Sequence, residues 1–399
     1  MGECRIERTD NKRHSSVSLL SIAAVFLRLG SSAFGGPAAH IALMETELVV
    51  RRQWITAEEF LDLLGAANLI PGPSSTELAL HIGYKKAGLA GLMTAGVCFI
   101  SPAAILVSVI AALYTHYGKL PETTAVLYGV KAVMIAIVFQ ALVRLAKTSL
   151  KTSLLRVVAV AVVVLYSLKC NELVLLFGSG LVGALFLFIT EKEKRERLIM
   201  VCLGLVTGAL IGITWFLSST TTKNVPFSVN ALFWYFLKLG SVLYGGGYVL
   251  LAFLRTDLCE GFHWINSSQL LDAVAVGQIT PGPLFTSATF IGYILAGPLG
   301  ALVATIGIFL PGFVLVALTG PWIKKIRTSA TAAQFLDAVN AAAVALMLVV
   351  LCQLSRDAII DLPSLVIAVV SGLLLVRFKT NSIALMLGGA VVGLLLHPR

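Results

Sequence analysis

The stretch Asn68-Leu69-Ile70-Pro71-Gly72-Pro73-Ser74-Ser75-Thr76-Glu77 decides the reading of this chain, because its Pro71-Gly72-Pro73 core returns 210 residues later as Pro281-Gly282-Pro283. The return extends outward. Phe26-Leu27-Arg28-Leu29-Gly30 comes back as Phe236-Leu237-Lys238-Leu239-Gly240, and Gly35-Gly36-Pro37 as Gly245-Gly246-Gly247. Trp54-Ile55 matches Trp264-Ile265, and Leu61-Asp62 matches Leu271-Asp272. Beyond a one-residue deletion, Ile82-Gly83-Tyr84 matches Ile291-Gly292-Tyr293, Gly88 matches Gly297, and Pro102 matches Pro311. Ordered Trp, Asp and Pro-Gly-Pro matches are not a chance product of apolar sequence, so the chain is an internal duplication.

The surroundings of these motifs are apolar. Of 399 residues, 58% are hydrophobic and only 13% charged, with a mean hydropathy of +0.92. A soluble protein carries about 25% charged residues. The composition therefore excludes a soluble enzyme and a DNA-binding domain and predicts an all-α polytopic membrane protein. The net charge of +10 sits in short clusters between apolar runs. The positive-inside rule accounts for these clusters, and no nucleic-acid partner is needed. Apolar runs near 17–43, 60–84, 88–114, 123–146, 154–168, 172–190, 198–217, 230–254, 270–293, 297–319, 333–354, 363–376 and 382–397 predict about thirteen spans, a count that re-entrant hairpins would change by about two or three. The expected organisation is a cytoplasmic tail over 1–16, a first repeat over 17–190, a charged loop and joining helix over 191–229, and a second repeat over 230–399. An odd number of spans between equivalent points inverts the second repeat relative to the first. Inverted repeats are the plan of many secondary transporters, with substrate held near the midplane where the repeats meet.

Proline removes a backbone donor and disfavours helix just before it. Each Pro-Gly-Pro should therefore break its span, and Gly35-Gly36-Pro37 and Gly245-Gly246-Gly247 should do the same. Inside a bilayer such breaks survive only where they are buried in protein or line a watery cavity. The helix that restarts presents free N–H groups at its positive end, where an anion can bind. The alternative role for these glycines and prolines is close helix packing and kinking. Ser74, Ser75 and Thr286 follow the breaks. Their hydroxyls can bond an oxyanion or can satisfy the freed backbone.

Ionisable residues inside spans are costly and often functional. Arg28 and Lys238 are repeat-equivalent and can supply positive charge or snorkel to an interface. Lys131, whose partner is Asn340, is a second cationic candidate. Glu77 follows the first Pro-Gly-Pro and is the candidate proton-coupling residue, with pairing to a lysine as its structural alternative. Asp62 and Asp272 read as capping or ion-pairing residues, and His40 as a packed polar group. No GxxxxGK[ST] or HExxH motif occurs, so the chain reads as neither enzyme nor ATP-driven pump and calls for no metal or other cofactor. The six cysteines have no zinc or redox spacing.

These segments resemble the chromate ion transporter family in its long, two-domain form. The resemblance rests on Phe26 to Gly36, Gly-Gly-Pro-Ala-Ala-His at 35–40, Arg51-Arg52-Gln53-Trp54, Gly245-Gly246-Gly247-Tyr248 followed by Trp264, and both Pro-Gly-Pro segments. It implies secondary active export of chromate, with sulfate as a related tetrahedral dianion, across a plasma membrane. A homo-oligomer is compatible with it, and an anion channel is the competing class. The positions matching the family motifs are Arg28, Gly35, Gly36, Pro37, Pro71, Gly72, Pro73, Gly245, Gly246, Gly247, Pro281, Gly282 and Pro283. The chain departs from many members at Glu77, where they carry an amide, and at Tyr248, where they carry histidine.

Overall fold

The computed structural model of the chain describes residues 17–32, 37–118, 120–168, 170–190, 226–244, 249–319, 330–378 and 380–396. The joining helix expected over 198–217 and the glycines 35, 36 and 245–247 lie outside these residues. Within them are fourteen helices in two sets of seven. The first set is α1 (Leu19–Ser32), α2 (Pro37–Glu45), α3 (Ala57–Ala67), α4 (Ser74–Tyr117), α5 (Pro121–Ser149), α6 (Ser153–Ser167) and α7 (Glu172–Thr190). The second is α8 (Val229–Val242), α9 (Leu250–Phe253), α10 (Ser267–Ile279), α11 (Ser287–Thr319), α12 (Ala330–Ala358), α13 (Leu362–Phe378) and α14 (Ser382–Leu396).

The duplication reaches down to single backbone angles. Gln53 and His263 are equivalent, and both are left-handed, at φ 51° and 55°. Behind them Trp54 N donates to Leu48 O at 2.8 Å and Trp264 N to Leu258 O at 2.9 Å. The helices that follow begin with matching capping boxes, Thr56 with Glu59 and Asn266 with Gln269. Both α4 and α11 contain a sharp reversal, with φ +59° at Gly88 and +60° at Gly297. Only a residue without a Cβ adopts this conformation cheaply. Around each reversal two glycines bring the helical arms into backbone contact. A Cβ on Gly83 would overlap the Gly91 carbonyl, and one on Gly292 the Gly300 carbonyl.

The structure differs from the sequence reading at three runs: 60–84 and 270–293 fold back on themselves at their Pro-Gly-Pro segments, and the two ends of 230–254 come together. Glu59 at the start of α3 and Lys85 near the end of the first arm of α4 form a 2.6 Å ion pair, with Pro71-Gly72-Pro73 between them. Lys238 in α8 and Asp257 lie 3.9 Å apart. Nineteen residues of continuous helix would separate them by about 28 Å. At the two Pro-Gly-Pro runs the physical reason is Gly72, at φ 131°, and Gly282, at φ 108°. These angles lie outside the helical region and let the chain reverse between two prolines that cannot continue a helix. The 11 residues of α3 reach only about 16 Å, half of a hydrocarbon core of about 30 Å.

Four described helices are long and apolar enough to cross a bilayer: α4, α5, Leu284–Thr319 (the short turn before α11 together with α11) and α12. Their outward faces are apolar stripes. On α4, Leu89, Met93, Val97, Ile105, Val109 and Leu113 recur at helical spacing and are all exposed. A water-soluble surface would not carry such a stripe; lipid accepts it.

The halves are interlocked. α13 and α14 pack on α5, and reciprocally α6 and α7 pack on α12. Close approach is again made by glycine: a Cβ on Gly129 would overlap the Gly389 carbonyl, and one on Gly393 the Ala125 carbonyl. The equivalent helices α5 and α12 run antiparallel. Arg144 and Thr148 near the end of α5 share a cavity with Ala333 and Asp337 near the start of α12. Tyr128 near the start of α5 donates to Asp361, just past the end of α12.

Gly83→Leu should destabilise the folded chain by about 1–3 kcal/mol through overpacking. Gly178→Ala, where an added Cβ meets nothing within 4 Å, should be neutral. Thermal melting of the detergent-solubilised protein measures both.

Candidate functional site

The interruptions meet. His40, three residues past Pro37, places Nδ1 3.2 Å from the Ser75 hydroxyl, two residues past Pro73. Its ring packs edge-on to Phe99. Gly72 N donates to Leu243 O at 2.7 Å, which ties the first Pro-Gly-Pro to the end of α8 in the other half. In return, Gly282 lies against the Gly30 carbonyl and Ala103 of the first half. Pro71, Gly72, Pro73, Pro281, Gly282 and Pro283 are all buried. The tips of the hairpins thus converge between the halves rather than on lipid.

A cavity of about 560 Å³ opens beside this convergence. Pro37, Asn68, Gly72 and Ser74 line it from the first half. Arg144, Thr148 and Lys151 close it from the end of α5, and Asp337 and Asn340 from α12. Among the described residues, neither Arg144 nor Lys151 forms an ion pair. Ser74 begins the restarted helix, whose first N–H groups have no intrahelical acceptor. Two cations, a helix start and several hydroxyl and amide groups make a wall that can hold an oxyanion. Asp337 sets a limit on its net positive charge.

Glu77 sits directly behind this wall. It is 1% exposed, and its Oε2 has no hydrogen-bond partner. Its Oε1 curls over Gly72, where a Cβ would overlap it, and faces Gly312 of the second half, where a Cβ would lie 3.2 Å away. Tyr244 lies within electrostatic reach of it. Thr76 Oγ1 and His81 Nε2, on the same arm of α4, are also buried without partners. The structural alternative for Glu77, pairing with a lysine, does not occur among the described residues.

Other sequence candidates fall elsewhere. Thr286 donates to Pro283 O at 2.9 Å and so satisfies the break itself. Lys238 faces Asp257. Arg28, on the exposed face of α1, acts electrostatically on Glu47. Neither lines the cavity. Lys131 is also outside it, 3.0 Å from Asp272 and bonded to Ser268 at 2.8 Å. Its repeat partner Asn340 is the residue that lines the cavity. Arg144 was not singled out from the sequence, although an arginine inside the apolar run 123–146 was a visible signal. Lys151 reads as an ordinary loop cation.

A duplicated helical membrane protein with converging hairpins and a basic cavity defines a transporter class, and sequence comparison supplies the family. The family described as "Chromate transporter" matches residues 20–184 and 230–394. The chain belongs to that family. It is 32% identical over 383 residues to the "Chromate transport protein" of Cupriavidus metallidurans, covering 96% of this chain and 94% of that one. It is 32% identical over 362 residues to the "Probable chromate transport protein" of Synechococcus elongatus, covering 90% of each. It is also 29% identical over 395 residues to the "Chromate transport protein" of Pseudomonas aeruginosa, covering 96% of this chain and 93% of that one. No solved structure matches the chain.

Gly72→Ala should impair folding and flux, because it meets Glu77 Oε1 and forces a side chain into a strained φ costing about 1–3 kcal/mol. Adding Glu77→Ala should recover folded protein in part, since only the strain then remains. Membrane yield of the single and double variants checks this.

Proposed function

We propose that the chain is a secondary transporter that exports chromate through the plasma membrane. The observation that carries the proposal is the basic cavity beside the breaks at Pro37 and Gly72, where, among the described residues, Arg144 and Lys151 form no ion pair. Chromate is a tetrahedral dianion. Arg144 and Lys151 provide its countercharge, while Ser74, Asn68 and the backbone near Gly72 provide directional donors. The wall has several donors and one acid, which suits a dianion better than a neutral solute.

Export fits the energetics. Each charge moved across 100 mV is worth about 2.3 kcal/mol, so a dianion leaving an inside-negative cell gains about 4.6 kcal/mol. Glu77, behind the anion's wall and on the seam between the halves, is the proposed carrier of a coupled proton. The antiparallel course of α5 and α12 supports repeats inverted across the membrane. Arg28 and Lys238 stay outside the anion's route in this proposal.

The test is chromate accumulation in cells with and without the protein, with sulfate as competitor. Expressing cells should accumulate less chromate. Arg144→Gln removes charge-assisted hydrogen bonds worth about 1.5–3 kcal/mol, so half-saturation should rise roughly ten- to hundredfold. Equal chromate accumulation in the two cell populations would remove the export assignment.

A further inference from the structure

The two halves share a sequence pattern but not an exposure. In the first half, α3 stands away from α12 and the cavity opens between them. Leu61 on α3 is 59% exposed. In the second half, the equivalent helix α10 packs against α5, and the equivalent Leu271 is 1% exposed. Asn68 is exposed to the open cavity, whereas its counterpart Gln278 is partly covered. Gln278 Nε2 is buried with no hydrogen-bond partner, which is costly for an amide unless it meets water in some other state.

A polar cluster holds this second side shut. Lys131 Nζ lies 3.0 Å from Asp272 Oδ1 and donates to Ser268 Oγ at 2.8 Å. The Tyr114 hydroxyl donates to Asp272 Oδ2 at 2.9 Å. Lys131 and Tyr114 belong to the first half, Asp272 and Ser268 to the second, so the cluster staples α10 to α4 and α5. At the position equivalent to Lys131, the open side has the neutral Asn340. The ion pair of Lys131 thus has no counterpart at Asn340.

We infer that Lys131, Asp272 and Tyr114 form a gate that closes a second access route, equivalent by the repeat to the open cavity and facing the opposite side of the membrane. Transport then proceeds by exchange of the two halves' conformations: α10 swings from α5 as α3 closes on α12. The antiparallel arrangement of α5 and α12 places the two routes on opposite faces. The inference rests on the transport reading for its purpose. Its test needs no substrate, so a failure of chromate flux and a failure of gating are read separately.

The test uses the full chain with its native cysteines changed to alanine, in sealed vesicles of either orientation, with a membrane-impermeant maleimide as probe. Asn68→Cys should label from one face, and Gln278→Cys should be protected from both. Lys131→Asn should raise labelling at Gln278→Cys roughly tenfold, from the face opposite to that reached by Asn68→Cys. Asn340→Lys places a cation on the open side at the position equivalent to Lys131 and should slow labelling at Asn68→Cys. Tyr114→Phe keeps the ring packed on Phe290 and removes only the hydroxyl. It should raise labelling at Gln278→Cys and serves if Lys131→Asn protein fails to accumulate. Labelling at Gln278→Cys that stays at the parent rate in the gate variants, or that comes from the same face as Asn68→Cys, overturns the inference.

Discussion

Inside a bilayer there is no water to satisfy a peptide group that leaves its helix, and this constraint governs the whole architecture. The chain breaks its helices deliberately, with proline and glycine, and must then find partners for what it has freed. The solution is reciprocal. Gly72 of the first half donates to Leu243 of the second, and Gly282 of the second half beds against Gly30 and Ala103 of the first. Thr280, Thr286 and Ser287 return their hydroxyls to nearby carbonyls. Each half thus covers part of the other's break.

The breaks at Pro37 and Gly72 border a gap whose walls come from both repeats. The cations that line the gap, Arg144 and Lys151, come from the end of α5, a helix held in place by α13 and α14 of the other half. The anion wall is thus built from both repeats, and movement of one relative to the other must change it. Glu77 occupies the one spot where a carboxyl touches the backbone of both halves, at Gly72 and Gly312.

The difference between the halves is as informative as their likeness. Thr56 and Asn266 cap equivalent helices in the same way, yet the face of α3 is open where that of α10 is covered. A few polar groups accompany the difference: at Asp272 an ion pair with Lys131 and a hydrogen bond from Tyr114, and a bond from Lys131 to Ser268, against a neutral Asn340 on the other side. Interactions of this size are comparable with the few kcal/mol that separate conformations of a switching protein.

Much was legible in the residues alone. The repeat, its 210-residue offset, the apolar all-helical character and the breaks at Pro71-Gly72-Pro73 and Pro281-Gly282-Pro283 follow from composition and from the covalent limits of proline and glycine. These are local or statistical properties, so a linear reading finds them. Tertiary structure alone decided that the two Pro-Gly-Pro runs turn back rather than continuing, because hydropathy is the same for a helix going up or down and the φ angles of Gly72 and Gly282 set the direction. It also decided that Lys131 meets Asp272 while Arg144 faces the cavity. A side chain's electrostatic partner depends on which distant helix packs beside it, and no spacing along the chain encodes that.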